Sequence, residues 1–336
     1  DRIVRDDVEL TEKRRRHLLS RLNYPDYPRL VGLIAADLRT KESRGFGEFQ
    51  IHRNLLPEQL DELEGLRPEL INDTNFVNTR IRKLHPNADV DWRRDAEERE
   101  AYLTRVWDFV KTLQPSFNSL KAHSLYQLLQ HHQRAGDYPR DLFLTYLKLP
   151  RPIHYVEPKY LADAERRRFQ VDLNANFQDV TFCPAIGNDE DLVRQFLLHF
   201  FVEDESYQAY EPFVRDTFLK PLFAEAKLVN GIGDAERWFS MLSPSQVQAL
   251  KDRVDIVFAS DNPEELDPAD DVKLDVNIKN VDKLIVKVYE INALNFFLDQ
   301  KRELNTDLNL DGLIANEEKV YEFKEAPIRR VRRSFA

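Results

Sequence analysis

Between Asp307 and Glu318 the chain sets oxygen-bearing side chains at the spacing a hard cation requires. Asp307, Asn309, Asp311 and Glu318 fall at the first, third, fifth and twelfth places of the pattern D-x-[DN]-x-[DN]-G-x5-E, and Gly312 stands where such a loop turns sharply. These four residues are the candidate metal ligands, and calcium is the cation they suit. Against that reading, Leu308 and Leu310 occupy places that are ordinarily polar, and no second loop of this kind accompanies the first. Tyr321 and Phe323 read as a strand where a helix would leave the loop. A structural Asp/Asn turn between strands is the default, with a calcium-stabilised binding module as the alternative.

Other chemistry is sparse. The chain has no G-x-S-x-G elbow, Walker loop, H-E-x-x-H or G-x-G-x-x-G. Gly231-Ile232-Gly233-Asp234 is too short to cradle a phosphate and reads as a turn followed by a helix cap. His131 and His132 are adjacent, so on a helix their rings point about 100° apart and cannot share one ion; surface positions are expected for both. His199, among Leu197, Leu198, Phe200 and Phe201, is expected to be hydrogen-bonded and partly buried. An enzyme of unrecognised type would need a carboxylate–histidine site in a groove, drawing on His52, His85 or His199. The one cysteine, Cys183, excludes intrachain disulfides and reads as a small buried hydrophobe. No catalytic residue is assigned, and the chain is expected not to be an enzyme.

Composition narrows the partners. Charged residues make up 32% and apolar residues 42% of the 336, the balance of a folded chain long enough for two or three domains. The formal charge of −10 argues against nucleic acid, because phosphate neutralisation needs a concentrated basic face. Arg14–Arg16 and Arg166–Arg168 are short and set among acidic residues, which fits solvated helix faces. Arg330-Val331-Arg332-Arg333-Ser334 reads as a basic exposed strand in preference to a dibasic processing site. No run approaches the roughly twenty apolar residues of a membrane span. The opening Asp1-Arg2-Ile3-Val4, without methionine, suggests a processed chain or an excised segment.

The elements follow from hydrophobic period. Leu30, Val31, Leu33, Ile34 and Leu38 form a helical stripe behind the start signal Asp26-Tyr27-Pro28. Residues 96–113 give one buried face through Ala101, Leu103, Val106, Trp107, Val110 and Leu113. A helical hairpin partner follows with Leu120, Leu125, Leu128 and Leu129 inward, ended by Gly136. Asp137-Tyr138-Pro139-Arg140 repeats the tetrapeptide at Asp26. Phe169, Val171 and Leu173 alternate like a short strand, and helices resume near Asp189. From Asp255 the period changes to two: Val272, Leu274, Val276 and Ile278, then Leu284, Val286 and Val288, and it resumes in Val320-Tyr321-Glu322-Phe323. The expected organisation is a helical domain over 1–149, a linker with a short strand over 150–186, a second helical domain over 187–254 and a β domain over 255–336. The fold class is α+β and multidomain, mainly helical for three quarters of the chain, then antiparallel β.

The stretch Val281-Asp282-Lys283-Leu284-Ile285-Val286-Lys287-Val288-Tyr289-Glu290-Ile291-Asn292, continued through Thr306 to Leu313 and Ile328 to Arg333, resembles a macroglobulin-like β-sandwich of large bacterial and protist alpha-2-macroglobulin-like proteins. The segments Gly45-Phe46-Gly47, His85 to Trp92 and Val229 to Asp234 are similar to the helical region preceding that domain. This resemblance implies a non-enzymatic scaffold segment of a larger, exported protein: secreted, periplasmic or on the cell surface. Its expected partners are other domains of the same chain or other proteins. It also implies that the sandwich is incomplete at Ala336. Neither a bait region nor a Gly-Cys-Gly-Glu-Gln thioester occurs, so protease trapping is not expected of this segment.

Overall fold

Capping chemistry decides where many of these helices begin. In the computed structural model, which describes residues 10–259, 262, 271–302, 304, 308–310 and 312–336, Asp73 accepts the N–H groups of Asn75 and Phe76 to open helix Thr74–Lys83. Asp95 does the same through Glu98 for helix Ala96–Val110. Ser243 and Gln246 close a reciprocal capping box ahead of helix Pro244–Asp252. The chain divides into two units: Asp1–Phe196 with Gln208–Asp216, and Leu197–Tyr207 with Thr217–Ala336. The division falls inside helix Glu190–Glu203.

In the first unit, helices Glu12–Leu19, Leu30–Asp37, Gln50–Asn54, Pro57–Leu66 and Thr74–Lys83 close over a cluster that includes Leu19, Ile34, Ile51, Leu60, Leu63 and Phe76. The stripe at Leu30 is helical as its spacing predicts, but Asp26 is not its cap. The N-cap is Arg29, in the left-handed region at φ 61°. The repeated tetrapeptide behaves differently, because Arg140 is the first residue of helix Arg140–Leu147 and its guanidinium reaches the Tyr210 hydroxyl at 2.8 Å.

Helix Ala96–Val110 packs on helix Asn118–Arg134. Its buried face is Tyr102, Leu103, Val106, Trp107 and Val110. Ala101, expected on that face, is exposed. Tyr102 takes its place, and its hydroxyl donates to the Thr181 carbonyl at 2.7 Å, which satisfies the phenol inside the core.

Residues 169–173 form no strand. Val171 and Leu173 are buried on either side of exposed Asp172, but the Val171 N–H goes to the Pro150 carbonyl at 2.8 Å with no ladder partner. Alternating burial on extended coil gives the same period as a strand, so the pattern misleads.

The same segment supplies the most enclosed polar cluster of the unit. Arg151 and Asp189 have no exposed side-chain surface and meet at 2.6 Å. Tyr155 and Tyr146 donate to the two Asp189 oxygens at 2.6 and 2.7 Å. The guanidinium also lies over the Tyr146 ring, 4.4 Å from its centroid. Burial pushes both phenols well above their ordinary range, which favours the protonated, donating form. Arg215 and Glu157 then hydrogen-bond across Tyr155 and Phe213, beside an antiparallel bridge between Val156 and Val214.

In the second unit, helix Asp216–Asn230 is the centre. From Leu222 through Val229 every residue is buried, which is the signature of a helix packed on all sides. Phe223 meets Phe201 at 5.2 Å and Trp238 at 5.7 Å, both edge-on. Helices Ala235–Phe239 and Pro244–Asp252 follow.

The β module has a sheet ordered β1 (Asp255–Phe258), β2 (Leu274–Lys279), β5 (Arg330–Phe335), and a pair of β3 (Lys283–Val288) with β4 (Glu317–Glu322). All pairings are antiparallel. Val276, Ile278 and Phe335 are its core, and Leu284, Val286, Tyr321 and Phe323 pack on it from the second sheet. The period of two is therefore real, and the α+β arrangement stands. The basic tail is β5, with Arg332 paired to Asp275 at 2.6 Å. Helix Ala293–Gln300, capped by Asn292, interrupts the strands where alternation alone shows nothing helical. No helix among the described residues is long and apolar enough to cross a membrane.

Removing one partner of the buried ion pair leaves the other charge without compensation. Asp189→Ala is expected to lower unfolding stability by roughly 3–5 kcal/mol. Removing the exposed Lys111–Asp108 pair through Lys111→Ala should change it by less than about 1 kcal/mol. Urea denaturation followed by circular dichroism compares the two.

Candidate functional site

Of the four residues spaced for calcium, Asp307 and Asp311 lie outside the described residues. Glu318 is on β4 directly opposite Lys287, and their charged groups stand 3.6 Å apart, an exposed cross-strand pair. Asn309 is exposed and already has an interaction within the chain. Among the described residues, no three His, Cys, Asp or Glu side chains converge on a position for a metal ion.

The histidines are each tied locally. His52 is fully buried, stacked on Phe46 at 5.2 Å, and its Nδ1 accepts the Gly47 N–H at 2.9 Å. Burial is the main cause that pulls its pKa down to about 4, assisted by Arg16 and Arg53 and opposed by Glu48. His85 meets the Val180 carbonyl at 2.7 Å. His199 is exposed beside Phe200, not partly buried as its apolar neighbours imply. His131 is also a correction, because it is buried against the helix pair, 3.7 Å from Glu100. His132 pairs with Asp137 at 2.9 Å. Cys183 is buried, and burial raises its thiol to about 11, so it is inert as a nucleophile.

The feature with the shape of a site is a cavity of about 460 Å³ in the second unit. It grows out of the end of helix Asp216–Asn230. The Ile232 N–H returns to the Lys227 carbonyl at 2.8 Å and the Gly231 N–H to the Leu228 carbonyl at 3.1 Å, the paired bonds of a Schellman cap. Gly231 sits at φ 64°, where a Cβ is strained. A Cβ there would also overlap the Arg329 guanidinium, which lies directly across the glycine.

Gly233 lets the chain pass the Trp238 ring, and the Trp238 N–H donates to the Ile232 carbonyl at 2.6 Å. Asp234 then caps helix Ala235–Phe239 through the Glu236 N–H. The opposite wall is the loop Ala326–Arg329, closed by an N–H to carbonyl bond of 2.9 Å between its ends. Leu228, Ile232, Trp238, Phe239, Pro327 and Ile328 give apolar walls, and Lys251 and Arg329 are the exposed cations lining it. Sequence reading found the turn and the cap at 230–234 but not the cavity, because Arg329 reaches it from the far end of the chain.

A long helical region continued by an antiparallel β module defines an α+β multidomain protein. Residues 1–254 match the family model described as the actin-binding protein F N-terminal domain, and residues 284–336 match that of the first immunoglobulin-like domain of the same proteins. A relative from Dictyostelium discoideum described as Actin-binding protein F is 30% identical over 341 residues, a span covering 99% of this chain and 14% of that relative. This chain belongs to the actin-binding protein F family. No solved structure matches it.

The resemblance to alpha-2-macroglobulin-like proteins is overturned by these matches. Residues 284–336 match an immunoglobulin-like domain, not a macroglobulin-like one. The alternation at Val281–Asn292 marks a half-buried antiparallel strand, and both kinds of sandwich need such strands.

Two measurements follow from this geometry. Gly231→Ala is expected to cost about 1–2 kcal/mol from the left-handed backbone alone, read by urea denaturation. The second concerns pH. An unfolded His52 takes up a proton as pH falls through 6.5, whereas the folded one resists until about 4. Stability present above 6.5 is therefore lost in between, by about 2 kcal/mol near pH 5. His52→Gln should flatten that slope in part, because burial also lowers the pKa values of His85, His123 and His131.

Proposed function

We propose that this chain is a non-enzymatic interaction segment that engages the actin cytoskeleton as part of a larger scaffold protein. The observation that carries the reading is the match of 99% of its length to a relative named for actin binding. The chain spans 14% of that relative, so the actin contact is assigned to this segment as a proposal. Surface character supports an interaction role. On β1, Ile256, Val257 and Phe258 are half or more exposed, and on helix Ala293–Gln300 so are Leu294 and Leu298. Apolar side chains grouped in this way favour contacts with other proteins.

Co-sedimentation with filamentous actin tests the proposal. The purified chain should pellet saturably with filaments and remain in the supernatant without them. A chain that partitions identically in the two cases removes actin as its partner.

A further inference from the structure

We propose that the cavity floored by Gly231 and Trp238 is a docking site for an acidic peptide segment of a protein partner. One bulky apolar side chain enters the cavity, and carboxylates flanking it pair with Lys251 and Arg329. This goes beyond the actin reading and is tested without actin.

The polar inventory of the cavity selects the occupant. A site for a small polar metabolite needs donors or acceptors converging inside it. Here the Trp238 N–H is engaged by the Ile232 carbonyl at 2.6 Å. The Lys227 ammonium is engaged by the Val202 carbonyl at 3.0 Å and lies over the Phe223 ring. What remains for a ligand is apolar wall, and a polar molecule held there would lose its hydration without replacement.

The charge pattern selects the flanks. Other basic residues of this unit are engaged: Arg253 with Glu225 and Asp255, Arg332 with Asp275, Arg333 with Glu325, and Arg237 over the Trp238 ring at 4.6 Å. Lys251 and Arg329 line the cavity, are exposed, and have no ion pair among the described residues. In a chain with a formal charge of −10, the charged side chains that line this apolar cup, Lys227, Lys251 and Arg329, are all cations, and a lining of one sign favours carboxylates despite the exposed Asp234 and Glu236 beside it.

The site is also preorganised. The Schellman cap and the pinned indole fix the floor before anything binds. An apolar anchor in a rigid pocket with a charged rim is the arrangement in which a few residues carry most of a protein–protein affinity.

The probe is the fluorescein-labelled peptide acetyl-Glu-Glu-Phe-Leu-Glu-Glu-amide, titrated into the full chain carrying fluorine-labelled tryptophan. Comparison peptides replace every Glu by Gln, or Phe-Leu by Ala-Ala. Saturable anisotropy is expected, with a shift of the Trp238 resonance and none at Trp92 or Trp107. Binding should fall about tenfold with either comparison peptide and with Arg329→Gln or Lys251→Gln. Both substituted residues are exposed, so the variants should keep the fluorine spectrum of the unliganded chain. No Trp238 shift at about 1 mM peptide overturns the proposal. So does equal binding of the neutral peptide, equal binding by the Gln variants, or a Trp238 shift produced by decanoate but not by the acidic peptide.

Discussion

Arg151 and Asp189 are both fully enclosed, and opposite charges in that position hold only if protein groups replace the water each has lost. Two tyrosine hydroxyls and the Leu149 carbonyl do so, and the guanidinium lies against the Tyr146 face. Arg151 Nη2 alone is left without a partner. This cluster explains how residues 150–189 are held with little regular structure. The segment has few ladder bonds of its own, so it depends on polar groups whose geometry admits one arrangement. Tyr146 comes from helix Arg140–Leu147, Arg151 and Tyr155 from the coil after it, and Asp189 from the residue preceding helix Glu190–Glu203. Closing the ion pair fixes the path of the chain between those helices.

The second unit meets the same constraint with different partners. A helix buried on all sides carries Glu225 and Lys227, and burial removes most of the water from both charges. Glu225 takes the Arg253 guanidinium at 2.9 Å, and Lys227 takes a carbonyl. Arg253 in turn holds Asp255 at the start of β1, while the nearly enclosed Lys279 of β2 donates to the Arg253 carbonyl. The first two strands are thus attached to the helices by charge-assisted bonds at one point. From there β2 sets the register of β5, and β5 is preceded by the loop whose Arg329 lies on Gly231. The cavity is a consequence of how buried charges anchor the sheet.

Local signals were legible in the residues, and long-range ones were not. The cap at Asp234, the glycine stop at Gly136 and the alternation of β2 and β3 are each set by neighbours a few positions away. Tyr102 displaced Ala101 from its helix face because a carbonyl at Thr181 was available to its hydroxyl, and no local pattern shows that. Val171 and Leu173 imitated a strand for a related reason, since burial alternates on coil as readily as in a ladder. Helix Ala293–Gln300 left a faint signal: Asn292 as cap, with Leu294, Phe297 and Leu298 spaced three and four apart. A strand pattern on both sides masked it. The family was misread from β alternation, the least distinctive feature in the chain. Within the cavity, the glycines were visible and their purpose was not, because it lies in the distant Arg329.

Several titratable groups with displaced pKa values are tied into the packing of the chain. Among them, the phenols of Tyr146 and Tyr155 are engaged by Asp189, His52 by a backbone N–H, and Cys183 is enclosed by apolar surroundings. The charged groups that face solvent around the cavity are the cations Lys251 and Arg329. Side chains of that kind can select a partner by charge and hold it by an apolar anchor. The buried charges of the second unit hold the walls of that cavity in one shape.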